Sequence, residues 1–134
     1  MPDSSLEVIH HTRSYAVVLK PHGLRSVPGR DEDARDSIET RVPSFFPHAT
    51  GPLTVHRLDI ETSGLMVVGL TRPAHRALMR QFMHRKVGKS YTAVVEGRVA
   101  GDRGGIDLPL RVDWPNRPRQ MVCHDEGRPS RTLW

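Results

Sequence analysis

Short apolar runs, separated by polar and proline-rich segments, predict most of the regular structure in this chain. Residues 15–19, YAVVL, and 64–70, GLMVVGL, are bounded by turn or cap residues, so each predicts a buried strand. Residues 90–96, SYTAVVE, are rich in β-branched side chains and end at a glycine, which predicts another strand. Further strand pieces are expected at 120–124 and 131–134.

Two helices are predicted from capping residues and helical spacing. Asp36 and Glu39 have the spacing of a capping box, and Pro43 is expected to end the short helix that follows. Thr71 suits the N-cap of a longer amphipathic helix from Arg72 to about Arg85. Its apolar positions are Ala74, Ala77, Leu78 and Phe82, and the basic positions on another face are Arg72, Arg76, Arg80 and His84.

The mixture of short strands with only two helices predicts an α+β fold. We expect a mixed, mainly antiparallel sheet with flanking helices, rather than a parallel doubly wound sheet. A length of 134 residues fits one domain, and the 37% share of apolar residues is sufficient for a modest core. Residues 1–134 are therefore expected to form part of a single domain.

The charge balance favours a polyanionic partner. Lysine and arginine number 20 against 15 acidic residues, which gives a formal net charge of +5. A basic surface attracts nucleic acid, although it also suits an acidic membrane face or simple solubility. No apolar stretch approaches the length needed to cross a bilayer, and the N-terminus lacks the pattern of a signal peptide, so a cytoplasmic protein without membrane association is expected.

Cysteine and histidine give little support for thiol or metal chemistry. Cys123 is the only cysteine, which excludes an internal disulfide, and its neighbours QMVCH favour a half-buried strand position over a thiol nucleophile. The eight histidines include no HExxH pattern, so no metal site is expected.

The most distinctive segment is residues 55–70, VHRLDIETSGLMVVGL. It places His56, Arg57 and Asp59 just before a predicted buried strand, where side chains are exposed at the strand's edge. The residue pattern alone leaves two interpretations open: a local ion pair of Arg57 and Asp59 that braces a turn, or a reactive carboxylate.

Four segments resemble the RluA family of pseudouridine synthases. HRLDIETSGLMVV is similar to that family's HRLDxxTSGLLLxA pattern, and VVLKPHGL and KSYTAVVEG resemble its xDKPxGL and KxYxAxVxG segments. LRVDWPNRPRQMV is similar to the branch that modifies both ribosomal and transfer RNA. These segments occur in the family's order and cover most of the chain.

The resemblance implies a catalytic pseudouridine synthase domain that isomerises uridine without a cofactor or metal. It makes Asp59 the nucleophile, and Tyr91 would pack against the extruded uracil, the alternative for Tyr91 being a core position on its strand. Arg57 would fill the space left by the flipped base or brace Asp59, and His56 would lie with them at the substrate. Apart from the resemblance, the residue pattern leaves two interpretations of Arg72, Arg76 and Arg80 open: a basic helix face that follows the RNA backbone, or a solvated face.

The expected partners are stem-loops of ribosomal or transfer RNA, and the complete protein is expected to be a monomer with no separate RNA-binding domain. Leu19 stands where many family members carry Asp or Asn, which is a peripheral departure. The family's GRxHQ[IL]RxH segment, whose Arg the resemblance implies as the partner of Asp59, is expected beyond Trp134. The alternatives are an inactive fragment and an RNA-binding module without chemistry.

Overall fold

A computed structural model describes residues 5–134 of the chain. The chain divides into two compact units, Met1–Ser90 and Tyr91–Trp134. In chain order the elements are β1 (Glu7–His11), β2 (Tyr15–Lys20), α1 (Ile38–Phe45), β3 (Gly64–Gly69), α2 (Arg72–Met83), β4 (Gly105–Asp107), β5 (Leu110–Val112), β6 (Gln120–Val122) and β7 (Arg131–Leu133). Single turns of 3-10 helix lie at Glu32–Ala34 and Trp114–Asn116.

The first unit is built on a three-stranded antiparallel sheet in the order β1-β2-β3. Strands β2 and β3 pair along their whole length, from Tyr15 opposite Gly69 to Lys20 opposite Gly64. Side chains alternate across β2, so Ala16, Val18 and Lys20 are all buried on one face. Lys20 is thus a charged residue on the core face of the sheet.

The hydrophobic core formed by the described residues lies in the first unit. Its members are Leu6, Ala16, Val18, Leu24, Ile38, Val42, Phe46, Leu53, Leu58, Met66, Val68 and Leu70. They come from the sheet, from α1 and from the connecting segments, so strands and a flanking helix share one core. This arrangement confirms the predicted α+β class and the antiparallel sheet.

The short helix α1 forms as predicted, but its ends differ from the prediction. The capping box is Ser37 with Thr40, because the Thr40 hydroxyl accepts from the Ser37 amide, while Asp36 pairs with Arg41 instead. Pro43 lies inside the helix and does not end it.

The continuation of α1 past Pro43 has a packing explanation. Pro43 lacks the amide that would bond the Glu39 carbonyl. The fully buried side chains of Ile38 and Val42 still fix the helix against the core, and the Phe46 amide reaches the Val42 carbonyl at 3.0 Å.

Helix α2 follows β3 directly, as predicted, and ends at Met83 rather than near Arg85. The Thr71 hydroxyl caps it by accepting from the Ala74 amide at 3.4 Å. A Cβ at Gly69 would lie 2.6 Å from the Cα of His75, so the glycine permits the helix to pack closely against the end of β3. No helix between residues 5 and 134 is long and apolar enough to span a membrane.

The second unit consists of two small antiparallel sheets, β4 with β7 and β5 with β6. Strands β6 and β7 confirm the predicted pieces at 120–124 and 131–134 in shortened form. The strand predicted at 90–96 is wrong: this segment has no regular structure, since no strand within residues 5–134 pairs with it.

Candidate active site

Asp59 lies in the loop that precedes β3, between the buried Leu58 and the half-buried Ile60. Its side chain is exposed, and no hydrogen bond or ion pair to its carboxylate is recorded within the described part of the chain. A free carboxylate at the surface is available to a substrate. Its usefulness depends on how firmly the loop is held.

The backbone on the N-terminal side of Asp59 is held by Ser26. The Ser26 hydroxyl donates to the Leu58 carbonyl at 2.6 Å and accepts from the Leu58 amide at 2.9 Å. The Asp59 carbonyl in turn accepts from the Thr62 amide at 3.1 Å, which closes a turn. Asp59 therefore stands between two fixed points.

The backbone on the C-terminal side is held by the loop that follows β2. The Gly23 amide donates to the Ile60 carbonyl at 2.8 Å, and His22 Nδ1 lies 2.8 Å from the Glu61 carbonyl. Gly23 has a φ of 83°, a conformation that favours glycine. The carbonyls of residues 58–61 all have partners, which makes this a firmly held loop.

Lys20 lies on the core face of the sheet and bonds both to the loop after β2 and to the loop of Asp59. Its side chain is fully buried, and its Nζ donates to the carbonyls of Pro21 at 3.0 Å, Leu24 at 2.6 Å and Ile60 at 3.1 Å. An ammonium group has three donors, and all three are used. The Lys20 cation thus ties the loop after β2 to the loop that carries Asp59.

Electrostatics at Lys20 reflect this position. Burial lowers the pKa of Lys20 below its ordinary value, while the charges of Glu61 and Asp59 raise it. The buried cation therefore lies within electrostatic reach of the exposed Asp59 carboxylate.

His56 is anchored between β3 and α2. Its Nε2 accepts from the Val67 amide at 3.1 Å, and its ring stacks on Phe82 with centroids 4.5 Å apart and an interplanar angle of 11°. Burial, reinforced by the positive charge of Lys89, lowers the pKa of His56. A neutral ring with Nδ1 protonated follows from the acceptor role of Nε2.

Arg57 is exposed and lies two residues before Asp59. The ion pairs recorded between residues 5 and 134 are Arg41 with Asp36 and Arg111 with Glu126, and neither includes Arg57. The structure therefore gives no support to a local ion pair between Arg57 and Asp59.

The other predicted site residues are exposed. Tyr91 belongs to the second unit, where its side chain is 63% exposed. The side chains of Arg72, Arg76 and Arg80 are exposed on α2. Cys123 is half-buried after β6, and a hydrogen bond from the Glu126 backbone is the main cause that lowers its pKa.

The described residues contain no group of three or more His, Cys, Asp or Glu side chains arranged to hold a metal ion. Sequence reasoning missed the residues that hold the loop, namely Lys20, His22 and Ser26. Lys20 and His22 lie in the segment VVLKPHGL, and its resemblance to a family motif was the available signal that these two residues have a structural role. The residues next to Ser26 in sequence give no sign that its side chain contacts the loop of Asp59.

Comparisons with known proteins agree with one another. A model of the RNA pseudouridylate synthase family matches residues 14–134. Two relatives are called dual-specificity RNA pseudouridine synthase RluA. The one from Yersinia pestis is 50% identical over 93% of this chain and 59% of its own length, and the one from Escherichia coli K12 is 47% identical over 95% and 57%. The chain thus spans somewhat over half the length of these relatives.

Solved structures show the same likeness. Human RNA Pseudouridylate Synthase Domain Containing 1 aligns with a TM-score of 0.72 and 25% identity, covering 97% of this chain and 50% of that one. Human RNA Pseudouridylate Synthase Domain Containing 4 aligns with a TM-score of 0.57 and 19% identity, covering 95% and 51%, which indicates a shared fold.

Proposed function

Since the chain belongs to the RNA pseudouridylate synthase family, we propose that its protein converts uridine to pseudouridine in RNA, with Asp59 as the nucleophile. The observation that carries the assignment is the exposed carboxylate of Asp59 on a loop whose backbone is held on both sides. Electrostatic and steric preorganisation of this kind is what a catalytic group needs.

The reaction is an isomerisation and balances within the substrate. The bond between uracil N1 and ribose C1′ breaks, the base turns, and a bond from C5 to C1′ forms. The C5 hydrogen leaves as a proton and N1 gains one, so no oxidant or reductant is required. The Asp59 carboxylate acts on the ribose–base unit either as a nucleophile or as a base, and both roles require its ionised form.

The target nucleotide has to leave its stack before Asp59 can reach it. Extrusion costs a few kcal/mol, and less in a loop than in a duplex, which favours stem-loops as targets. In this proposal Tyr91 stacks on the extruded uracil, a contact worth about 1–3 kcal/mol per base. Arg57, exposed and without a recorded partner within residues 5–134, enters the space left by the base.

His56 contributes a neutral donor in the same proposal. Its Nε2 and one ring face are occupied by Val67 and Phe82, so Nδ1–H is the group left for a substrate oxygen. The stacking on Phe82 fixes the direction of that donor.

The RNA backbone follows the basic face of α2. The guanidinium groups of Arg72, Arg76 and Arg80 are exposed and recur every four residues along the helix. The proposed substrates are loops of ribosomal or transfer RNA in the cytoplasm. Residues 1–134 form the N-terminal part of one catalytic domain, which acts as a monomer.

The test is the substitution Asp59→Asn in the full-length protein, assayed by tritium release from RNA labelled at uridine C5. The amide has the same shape and lacks the charge, so turnover is expected to disappear while RNA binding remains. Asp33→Asn is the matched control, since it makes the same substitution at another exposed carboxylate of the first unit and should keep turnover. Retained turnover in Asp59→Asn would leave an RNA-binding module as the better function.

A further inference from the structure

Ser26 occupies an unusual position beside the loop of Asp59. The residue is only 3% exposed, and its single hydroxyl satisfies both the amide and the carbonyl of Leu58, a residue 32 positions away in sequence. Leu58 is itself buried, so water cannot replace these bonds without rearrangement. One hydroxyl therefore fixes both backbone groups of the residue before Asp59.

Ser26 is held in turn by the first turn of α1. Its carbonyl accepts from the Glu39 amide at 3.2 Å, and the Arg25 carbonyl accepts from the Ile38 amide at 2.9 Å. Ile38 is fully buried in the core. The Ser26 hydroxyl thus connects the loop of Asp59 to the buried first turn of α1.

We propose that Ser26 is a positioning residue for uridine isomerisation, because its hydroxyl sets the place of the Asp59 carboxylate. The proposal rests on the function proposed for Asp59. Ser26 holds the backbone of Leu58, and Lys20 and Gly23 hold that of Ile60. The place of the Asp59 carboxylate then varies only through the torsion angles of Asp59 itself. A displacement of about 1 Å at a reacting group is sufficient to lower a rate by about 100-fold.

Ser37 provides the matched control. It is a fully buried serine of the same unit, and its hydroxyl bonds to Thr40 within α1. Replacing Ser37 by alanine removes a buried hydroxyl and the cap of the helix turn that holds Ser26, but it keeps both bonds from the Ser26 hydroxyl to Leu58. A merely structural role for Ser26 would make the two alanine variants alike.

The experiment compares Ser26→Ala, Ser26→Thr and Ser37→Ala in the full-length protein. Three quantities are measured: hydrogen exchange at the Leu58 amide, the Kd for RNA, and the single-turnover rate at saturating RNA. We expect Ser26→Ala to speed Leu58 exchange and to lower the rate by about 100-fold at unchanged Kd. Ser26→Thr should restore most of the rate, and Ser37→Ala, which keeps the Ser26 hydroxyl, should slow the reaction and speed Leu58 exchange by far less than Ser26→Ala does.

The outcomes separate this proposal from the proposed function. Equal rates in Ser26→Ala and Ser37→Ala, or unchanged exchange at Leu58, would overturn the role of Ser26 even in an active enzyme. An unsubstituted protein without turnover would overturn the proposed function, and Leu58 exchange alone would then decide whether Ser26 holds the loop. If Ser26→Ala does not fold, Ser26→Cys replaces it, and a full rate with that weaker hydrogen-bonding group overturns the proposal.

Discussion

The two units of this chain differ sharply in how much of their surface they bury. Every residue recorded as buried between residues 5 and 134 lies in the first unit, at or before Leu70. The second unit consists of paired strands of three residues each, and sheets of two strands are only marginally stable alone. Its exposed large apolar side chains are Tyr91, Val94, Val95, Val99, Ile106, Leu108, Trp114, Met121, Val122, Leu133 and Trp134.

This difference divides the proposed active site. Asp59 lies on a loop tied to the core of the first unit through Ser26 and Lys20, so its geometry is set within this chain. Tyr91 is 63% exposed and lies in a segment that has no strand partner within residues 5–134. The loop of Asp59 is thus held by bonds within its own unit, whereas no strand pairing within residues 5–134 holds the segment of Tyr91.

The largest effect is expected when a valine is replaced by alanine in each of the two units. Val68→Ala removes two methyl groups from a fully buried side chain of β3 and should lower the free energy of unfolding by about 2 kcal/mol or more. Val94→Ala changes a fully exposed side chain and should stay within about 0.5 kcal/mol of the reference. Chemical denaturation of both variants measures the difference.

Equal losses in the two variants would break the comparison. In particular, a large loss in Val94→Ala would mean that the second unit buries Val94 in solution, in a packing that this structure does not contain.

The sequence predicted the elements whose signals are local. The apolar runs of β2 and β3 and the Thr71 cap of α2 were sufficient to place the centre of the first unit. The segment 90–96 carries the same strand signal but has no strand partner within residues 5–134, and pairing is a tertiary property. Strand β1 was missed because its residues, EVIHH, are polar and mostly exposed.

The candidate site shows a similar division. Asp59 was predicted through a family-like motif, and its catalytic role stays a prediction. The groups that hold its loop act across long separations, 32 residues for Ser26 and 40 for the bond from Lys20 to Ile60. Neither hydrophobic periodicity nor cap spacing indicates contacts between residues so far apart in sequence.

A smaller effect is expected from substituting Glu39, whose side chain holds the backbone at residues 53 and 54 of the first unit. Its two carboxylate oxygens accept from the amides of Leu53 at 2.9 Å and Thr54 at 2.8 Å. In Glu39→Gln one acceptor becomes an NH₂ group that faces a backbone donor, which should cost about 1–2 kcal/mol of unfolding free energy. Chemical denaturation measures this loss.

Glu96→Gln is the control in the second unit, where the side chain is exposed, and it should have no measurable effect. A Glu39→Gln variant as stable as Glu96→Gln would show that the segment at 53–54 is held by packing alone.

The smallest expected effect is the pH dependence that His56 gives the first unit. Burial, and then the charge of Lys89, lowers the pKa of His56 below the ordinary 6.5, so the folded protein keeps the ring neutral where the unfolded chain takes up a proton. Stability from this group is therefore complete above pH 6.5 and falls as the pH drops below it.

Thermal melts between pH 7.5 and 5.5 should show a smaller acid-induced fall in His56→Gln, whereas His124→Gln, at an exposed position in the second unit, should match the reference. The fall caused by Asp36, whose pKa is lowered by its hydrogen bond from Arg41, begins below 3.8 and lies outside this range. A reference protein with the same slope as His56→Gln would contradict the neutral, anchored ring at the base of the site.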